Sequence, residues 1–175
     1  DHNGILRLVG NQGLVRWNLA FTEVLPNVAD KWTVNADSTE FTFFLRKGMK
    51  WSDGKPFTAD DVVFSVEDCA KNSELYKSVP SPLVIGGKPG TVTKIDETTV
   101  KFTFASPYAL FLETMATPLG QHPTLFPKHY GSQFHPKYNA KVGELAKAAN
   151  MLDWGGLFRS KCGDIEIQSR RSNSV

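Results

Sequence analysis

The chain carries little that reacts. Only two of its 175 residues are cysteine. Cys69 and Cys162 stand far apart and form no Cys-x-x-Cys pair, which removes thioredoxin-like redox chemistry and zinc ribbons. A disulfide between them is compatible with export, and a buried free thiol at Cys69 fits equally well. No Gly-x-Ser-x-Gly elbow occurs, and neither cysteine stands in a nucleophile pattern with a histidine. No apolar run approaches the eighteen or so residues that a membrane helix needs. There is no initiator Met and no signal peptide ahead of Asp1-His2-Asn3-Gly4, so the chain reads as a fragment from the N-terminal part of a longer protein. One sign of charge hardly prevails. The net charge is +2, and that excess sits in 159–175, where Arg159, Lys161, Arg170 and Arg171 face only Asp164 and Glu166. The rest is balanced, so no basic stripe exists for nucleic acid. Internal repeats and low-complexity tracts are also missing.

What is present is a core. At 41% hydrophobic and 22% charged, the chain can bury one domain or two small lobes. Its organising stretch is Ala29 to Val66. Lys31 to Val34 alternates. Asn35-Ala36-Asp37-Ser38 is a turn, because these side chains bond their own backbone. From Glu40 to Arg46, Phe41, Phe43 and Leu45 point one way and Thr42, Phe44 and Arg46 the other. The two runs make a β-hairpin. Trp51 and the polar loop Ser52-Asp53-Gly54-Lys55-Pro56 follow. Thr58 then caps a helix, with Asp61 three residues on in a capping box and Asp60 beside it at the positive end of the dipole.

Around this stretch, Ile5 to Trp17 is β-prone at both ends. The first helix runs from about Thr58 to near Lys71. Asn72 to Gly90 is dense in proline and glycine and reads as a long loop. Val92 to Ile95 and Val100, Phe102 and Phe104 give a second hairpin. Tyr108 to Met115 reads as a short helix. Thr117 to Pro136, with four prolines, reads as extended or looped. Gly143 to Leu152 reads as a helix with Leu145, Ala148, Ala149 and Leu152 on one side. Hairpins clustered with three or so helices define an α+β fold with a mainly antiparallel sheet.

Chemistry has few places to sit. His122, His129 and His135 lack the spacing that puts metal ligands on one helix, and no third ligand set is evident, so surface and turn roles outweigh zinc or nickel. Asp60-Asp61 and Glu67-Asp68 are neighbours on one helix and do not converge as an acid–base pair must. Gly86-Gly87-Lys88-Pro89-Gly90 has neither phosphate-loop spacing. No cofactor is expected. The aromatic excess is the remaining feature. Trp32 and Trp51 belong to the hairpin module. Trp17, with Arg16 before it, lies outside that module, so Arg16 facing a solute carboxylate and Trp17 stacking on a solute are the candidate ligand contacts.

The string Ala29-Asp30-Lys31-Trp32, a hairpin, then Phe43-Phe44-Leu45-Arg46-Lys47-Gly48-Met49-Lys50-Trp51-Ser52-Asp53-Gly54-Lys55-Pro56-Phe57-Thr58-Ala59-Asp60-Asp61-Val62-Val63-Phe64-Ser65 resembles the family 5 extracellular solute-binding proteins. These are the oligopeptide- and dipeptide-binding components of bacterial ABC importers. Gly13 to Trp17, Val24 to Ala29, Lys94 to Asp96, Phe104 to Tyr108, Phe126 to Tyr130 and Gln133 to Asn139 extend the resemblance. It implies the first lobe of a two-lobe periplasmic-binding-protein-like fold. Residues 1–28 would be part of that lobe, 29–116 a small hairpin and helix subdomain, 117–158 a return to the lobe and 159–175 a frayed tail. It further implies no enzyme, a peptide solute held against a second lobe absent here, and permease subunits as partners. The implied location is periplasmic or extracellular, with a lipoprotein anchor in a Gram-positive parent. An oligosaccharide is the alternative solute, nickel a lesser one, and a structural interaction domain or hydrolase the rival class. The isolated fragment is expected to pair with a second copy.

Overall fold

A computed structural model describes residues 12–162 and the backbone of 167–168. The upstream part of the β-prone stretch Ile5 to Trp17 lies outside the described residues. Its end forms β1 (Val15–Trp17), which pairs antiparallel with β2 (Val24–Pro26). The central sheet follows from the organising stretch. β3 (Ala29–Val34) pairs with β4 (Glu40–Leu45), and β8 (Thr91–Asp96) with β9 (Thr99–Thr103). All neighbours are antiparallel, in the order β3-β4-β9-β8. The alternation in β4 is as the sequence predicts: Phe41, Phe43 and Leu45 are buried, while Glu40, Thr42 and Phe44 are half-buried. Registers Phe41↔Phe102 and Phe43↔Val100 stack that face against β9.

The capping box starts α1 (Ala59–Val63): the Thr58 N–H donates to Asp61 Oδ2 at 2.8 Å. The helix continues into a π-helical segment, Phe64–Ala70, closed by the Lys71 N–H on the Val66 carbonyl. Its extent matches the sequence expectation, but the widened turn carries no sequence signal. β5 (Lys50–Trp51) pairs with β10 (Ile167–Gln168). The breaker-rich 72–90 stretch holds β6 (Val84–Ile85) and β7 (Lys88–Pro89). Gly86 and Gly87 both have positive φ, as the tight turn between them demands. That turn accounts for the glycines that resembled no phosphate loop.

Two buried clusters result. The first has Phe111 at its centre, in α2 (Phe111–Met115). Its ring lies 4.6 Å from Phe41, 4.8 Å from Phe104 and 5.4 Å from Phe102. The second gathers Phe64, Cys69, Val142, Ala146, Trp154, Leu157, Phe158 and Cys162.

The second half of the chain differs most from expectation. Thr117 to Pro136 is not extended: it holds a 3-10 turn (Pro118–Thr124), α3 (Lys128–Gly131) and another 3-10 turn (Ser132–Phe134). Pro118 and Pro127 sit at the start of these elements, where a missing N–H costs nothing. α4 (Val142–Ala148) buries Val142 and Ala146 instead of the face expected, leaving Leu145 half open and Leu152 fully exposed. Asn150, with φ 55°, ends the helical period before Leu152. α5 (Trp154–Cys162) was not expected, since Gly155 and Gly156 argue against a helix. Asp153 nucleates it by accepting the Gly156 N–H at 2.7 Å. Arg159 to Cys162, expected in a frayed tail, form its last turn, with Cys162 buried. The remainder of that tail is outside the described residues, apart from the Ile167–Gln168 backbone. Among the described residues no helix is long and apolar enough to cross a membrane.

Candidate functional site

Arg16 and Trp17 stand on β1, a ribbon anchored to the core at its base. Ala29 N–H donates to the Leu14 carbonyl at 2.9 Å, and Leu14 and Val15 are buried. The pleat sends neighbouring side chains to opposite faces. Arg16 is exposed and Trp17 is half-buried on the Val15 side. The structure therefore does not bring the two together on one surface. Beyond them the chain turns through an ordered loop, in which the Asn18 side chain bonds both Thr22 Oγ1 and the Thr22 N–H at 2.9 Å. Phe21 takes a left-handed φ of 55° there, and Leu19 and Phe21 point into solvent. Sequence reasoning missed this apolar tip, because neither residue belongs to a periodic run.

The histidines separate. His129 Nε2 lies 2.6 Å from Asp53 Oδ2. His135 is buried, with Nε2 3.0 Å from the Asp68 carbonyl. His122 packs edge-on against Tyr76. Among the described residues no three His, Cys, Asp or Glu groups are placed to hold a metal.

Every carboxylate singled out in the sequence has a structural partner. Asp60 binds Lys94 and Lys128, and the Lys94 hydrogen bond is the larger reason its pKa is lowered. Asp61 is buried and accepts N–H groups from Thr58 and, at 2.7 Å, Lys128; the Trp51 indole faces it too. Burial outweighs these donors and raises its pKa. At Asp53 desolvation is the largest influence and pulls the pKa up, but the His129 hydrogen bond, the Lys55 N–H and the charges of both residues together bring it below its usual range. Glu67 takes Lys71 and the Val92 N–H. The loop and helix start at 51–61 thus form a polar seam against 124–131, joined by Ser65 Oγ, which bonds Phe126 at 3.0 Å through both its N–H and its carbonyl. Such a seam fixes geometry; it offers no pair of groups converging on a substrate. Both thiols are free and buried. Burial pushes the Cys162 thiol up to about 12 and raises that of Cys69 further, so neither is a nucleophile.

The fold is made of hairpins and short helices whose polar groups pair across its own seams, and among the described residues no group of three His, Cys, Asp or Glu side chains is placed to hold a metal. The sequence profile of the bacterial extracellular solute-binding proteins, family 5 (middle part), matches residues 23–156, and the chain belongs to this family. The dipeptide-binding protein of Escherichia coli K12 is 38% identical over 121 residues, covering 59% of this chain and 22% of that protein. The periplasmic alpha-galactoside-binding protein of Rhizobium meliloti 1021 is 34% identical over 139 residues, covering 75% and 20%. A solved oligopeptide-binding protein OppA superposes with a TM-score of 0.81 at 37% identity, covering 94% of this chain and 25% of that one. The chain thus spans a quarter or less of the length of these relatives.

Proposed function

We propose that the chain is part of the solute-binding component of an ABC importer and contributes to capture of an extracellular peptide. The observation that carries this is the match to an oligopeptide-binding protein over 94% of the chain. In this account 29–116 is the small subdomain, 1–28 and 117–158 belong to the first lobe, and the second lobe comes from sequence beyond this chain. Closure of the lobes follows from a ligand's greater affinity for the closed state. The permease subunits receive the solute. The parent is periplasmic or extracellular, and anchored as a lipoprotein if Gram-positive. A second reading, an oligosaccharide solute, is favoured by the alpha-galactoside-binding relative. Nickel gains no support from His122, His129 and His135, which have three different surroundings.

Thermal unfolding of the full-length parent with dipeptides, tripeptides and raffinose-type galactosides tests the proposal. A bound solute at about a hundred times its Kd adds about 2.7 kcal/mol. Stabilisation by peptides is expected. Stabilisation by galactosides alone selects the second reading, and none with either overturns both. Arg16→Ala is expected to cost the parent about tenfold in peptide affinity if a solute carboxylate meets it. Unchanged affinity removes Arg16 from the site, and the same comparison for Trp17→Ala decides Trp17.

A further inference from the structure

His135 to Tyr138 closes on Asp68 from three sides. The Lys137 ammonium lies 2.5 Å from Asp68 Oδ1, and the Tyr138 hydroxyl donates to Oδ2 at 2.6 Å. The His135 ring reaches the Asp68 carbonyl with Nε2 at 3.0 Å, while the Lys137 N–H donates to its Nδ1 at 3.2 Å. Those partners assign the tautomer. Nδ1 faces a donor and carries no proton; Nε2 faces an acceptor and carries one. The residue is 4% exposed. It is surrounded by Trp154, Phe64, Tyr138 and Phe158, with centroids 5.0, 6.0, 5.8 and 6.3 Å away. One histidine therefore touches the π-helical segment, its own turn and α5; the first and last of these supply most of the second cluster, to which α4 adds Val142 and Ala146.

We propose that His135 is a proton-operated latch: neutral, it holds 135–162 on the first helix, and protonated, it loosens that segment while the central sheet stays folded. A second proton has to enter at Nδ1, where the Lys137 N–H already points, in a site nearly closed to water. Two donors would then meet head to head with no acceptor between them. The charged groups around the ring divide. The Asp68 carboxylate favours the cation. So does Glu74, which lies after the π-helical segment and accepts the Trp154 indole N–H at 2.5 Å. Lys137 opposes it. From α5, Arg159 turns to the Glu74 and Leu75 carbonyls. Tyr138 is neutral, its own pKa raised by burial and by Asp68. Desolvation prevails, and His135 is held below its ordinary 6.5. The sign follows. The unfolded chain takes up this proton at higher pH than the folded one, so the stability that His135 lends is complete above 6.5. It is lost as pH falls through the window below.

The test is NMR of the 175-residue chain with nitrogen-15 label. Ring nitrogen shifts report the tautomer and midpoint of His135. Amide exchange, corrected for its intrinsic pH dependence, reports opening of 142–162 and of 40–45 between about pH 7.5 and about pH 5, above the ordinary carboxylate range. The Nε2–H tautomer, a midpoint under 6.5 and opening of 142–162 that grows by up to about tenfold per pH unit within the window are expected. The 40–45 amides should not follow. His135→Gln keeps a donor for the Asp68 carbonyl and an acceptor for the Lys137 N–H without a titrating proton, and should flatten the dependence. If that variant fails to fold, the wild-type titration decides alone. A midpoint at or above 6.5, opening that ignores pH, or the same pH dependence in His135→Gln overturns the latch.

Discussion

Replacing Phe43 with alanine removes a ring with no solvent exposure from the middle of β4. That ring meets Phe102 edge-on at 5.5 Å and Phe111 at 6.3 Å. Large-to-small changes at such sites cost about 3–5 kcal/mol, because the cavity persists when neighbours cannot collapse into it. Here the neighbours are themselves pinned, since Phe111 also packs on Phe41 and Phe104. The upper half of the range is expected. Total stability of a domain is about 5–15 kcal/mol, so the variant should be close to unfolding. Phe44 is the internal control. It lies on the other face, half-buried, under the Lys31 ammonium at 5.0 Å. Losing that contact and part of the burial should cost about 1–2 kcal/mol. With a urea slope of about 2 kcal/mol/M, the midpoints should fall by about 2 M for Phe43→Ala and by under about 1 M for Phe44→Ala. Equal shifts would refute the sidedness of the sheet.

Two further outcomes are expected. Gly131→Ala places a methyl 2.8 Å from Phe64 Cε1 and 3.4 Å from Phe158 Cε2, both rings buried. Overpacking of about 1–3 kcal/mol should outweigh the helix-propensity gain of up to about 1 kcal/mol, so the melting temperature should drop, and a rise would contradict the packing of the second cluster. The isolated chain should self-associate, measured by light scattering across concentrations. Leu14 and Val15 are buried and take no part, whereas Leu19, Phe21 and Leu119 are exposed and want cover. A strict monomer at high concentration would refute this.

The hairpin module was legible in the sequence because each of its signals is local. Alternation in β4, the Asx turn at Asn35 and the Thr58–Asp61 box all act within a few residues, and all agree. The second half was harder because its elements are short and set by distant partners. Pro118 and Pro127 look like breakers but begin turns. Trp154-Gly155-Gly156 looks like a loop, yet forms a helix because Trp154 and Arg159 bind at Glu74 and Leu75. The candidate contacts fared differently. The strand under Arg16 and Trp17 was evident, and its pleat alone sets them on opposite faces; which of the two lies towards the core depends on the fold. The role of His135 was invisible, since its partner Asp68 is far away in the chain and the contact needs the fold.

The central claim is that this chain is one part of a peptide-capturing, two-lobed protein. Small-angle scattering of the full-length parent, with and without a saturating peptide, tests it most directly. The account predicts that the radius of gyration falls when peptide is added, as the lobes close. A radius unchanged by peptides, together with no stabilisation by them, would contradict it.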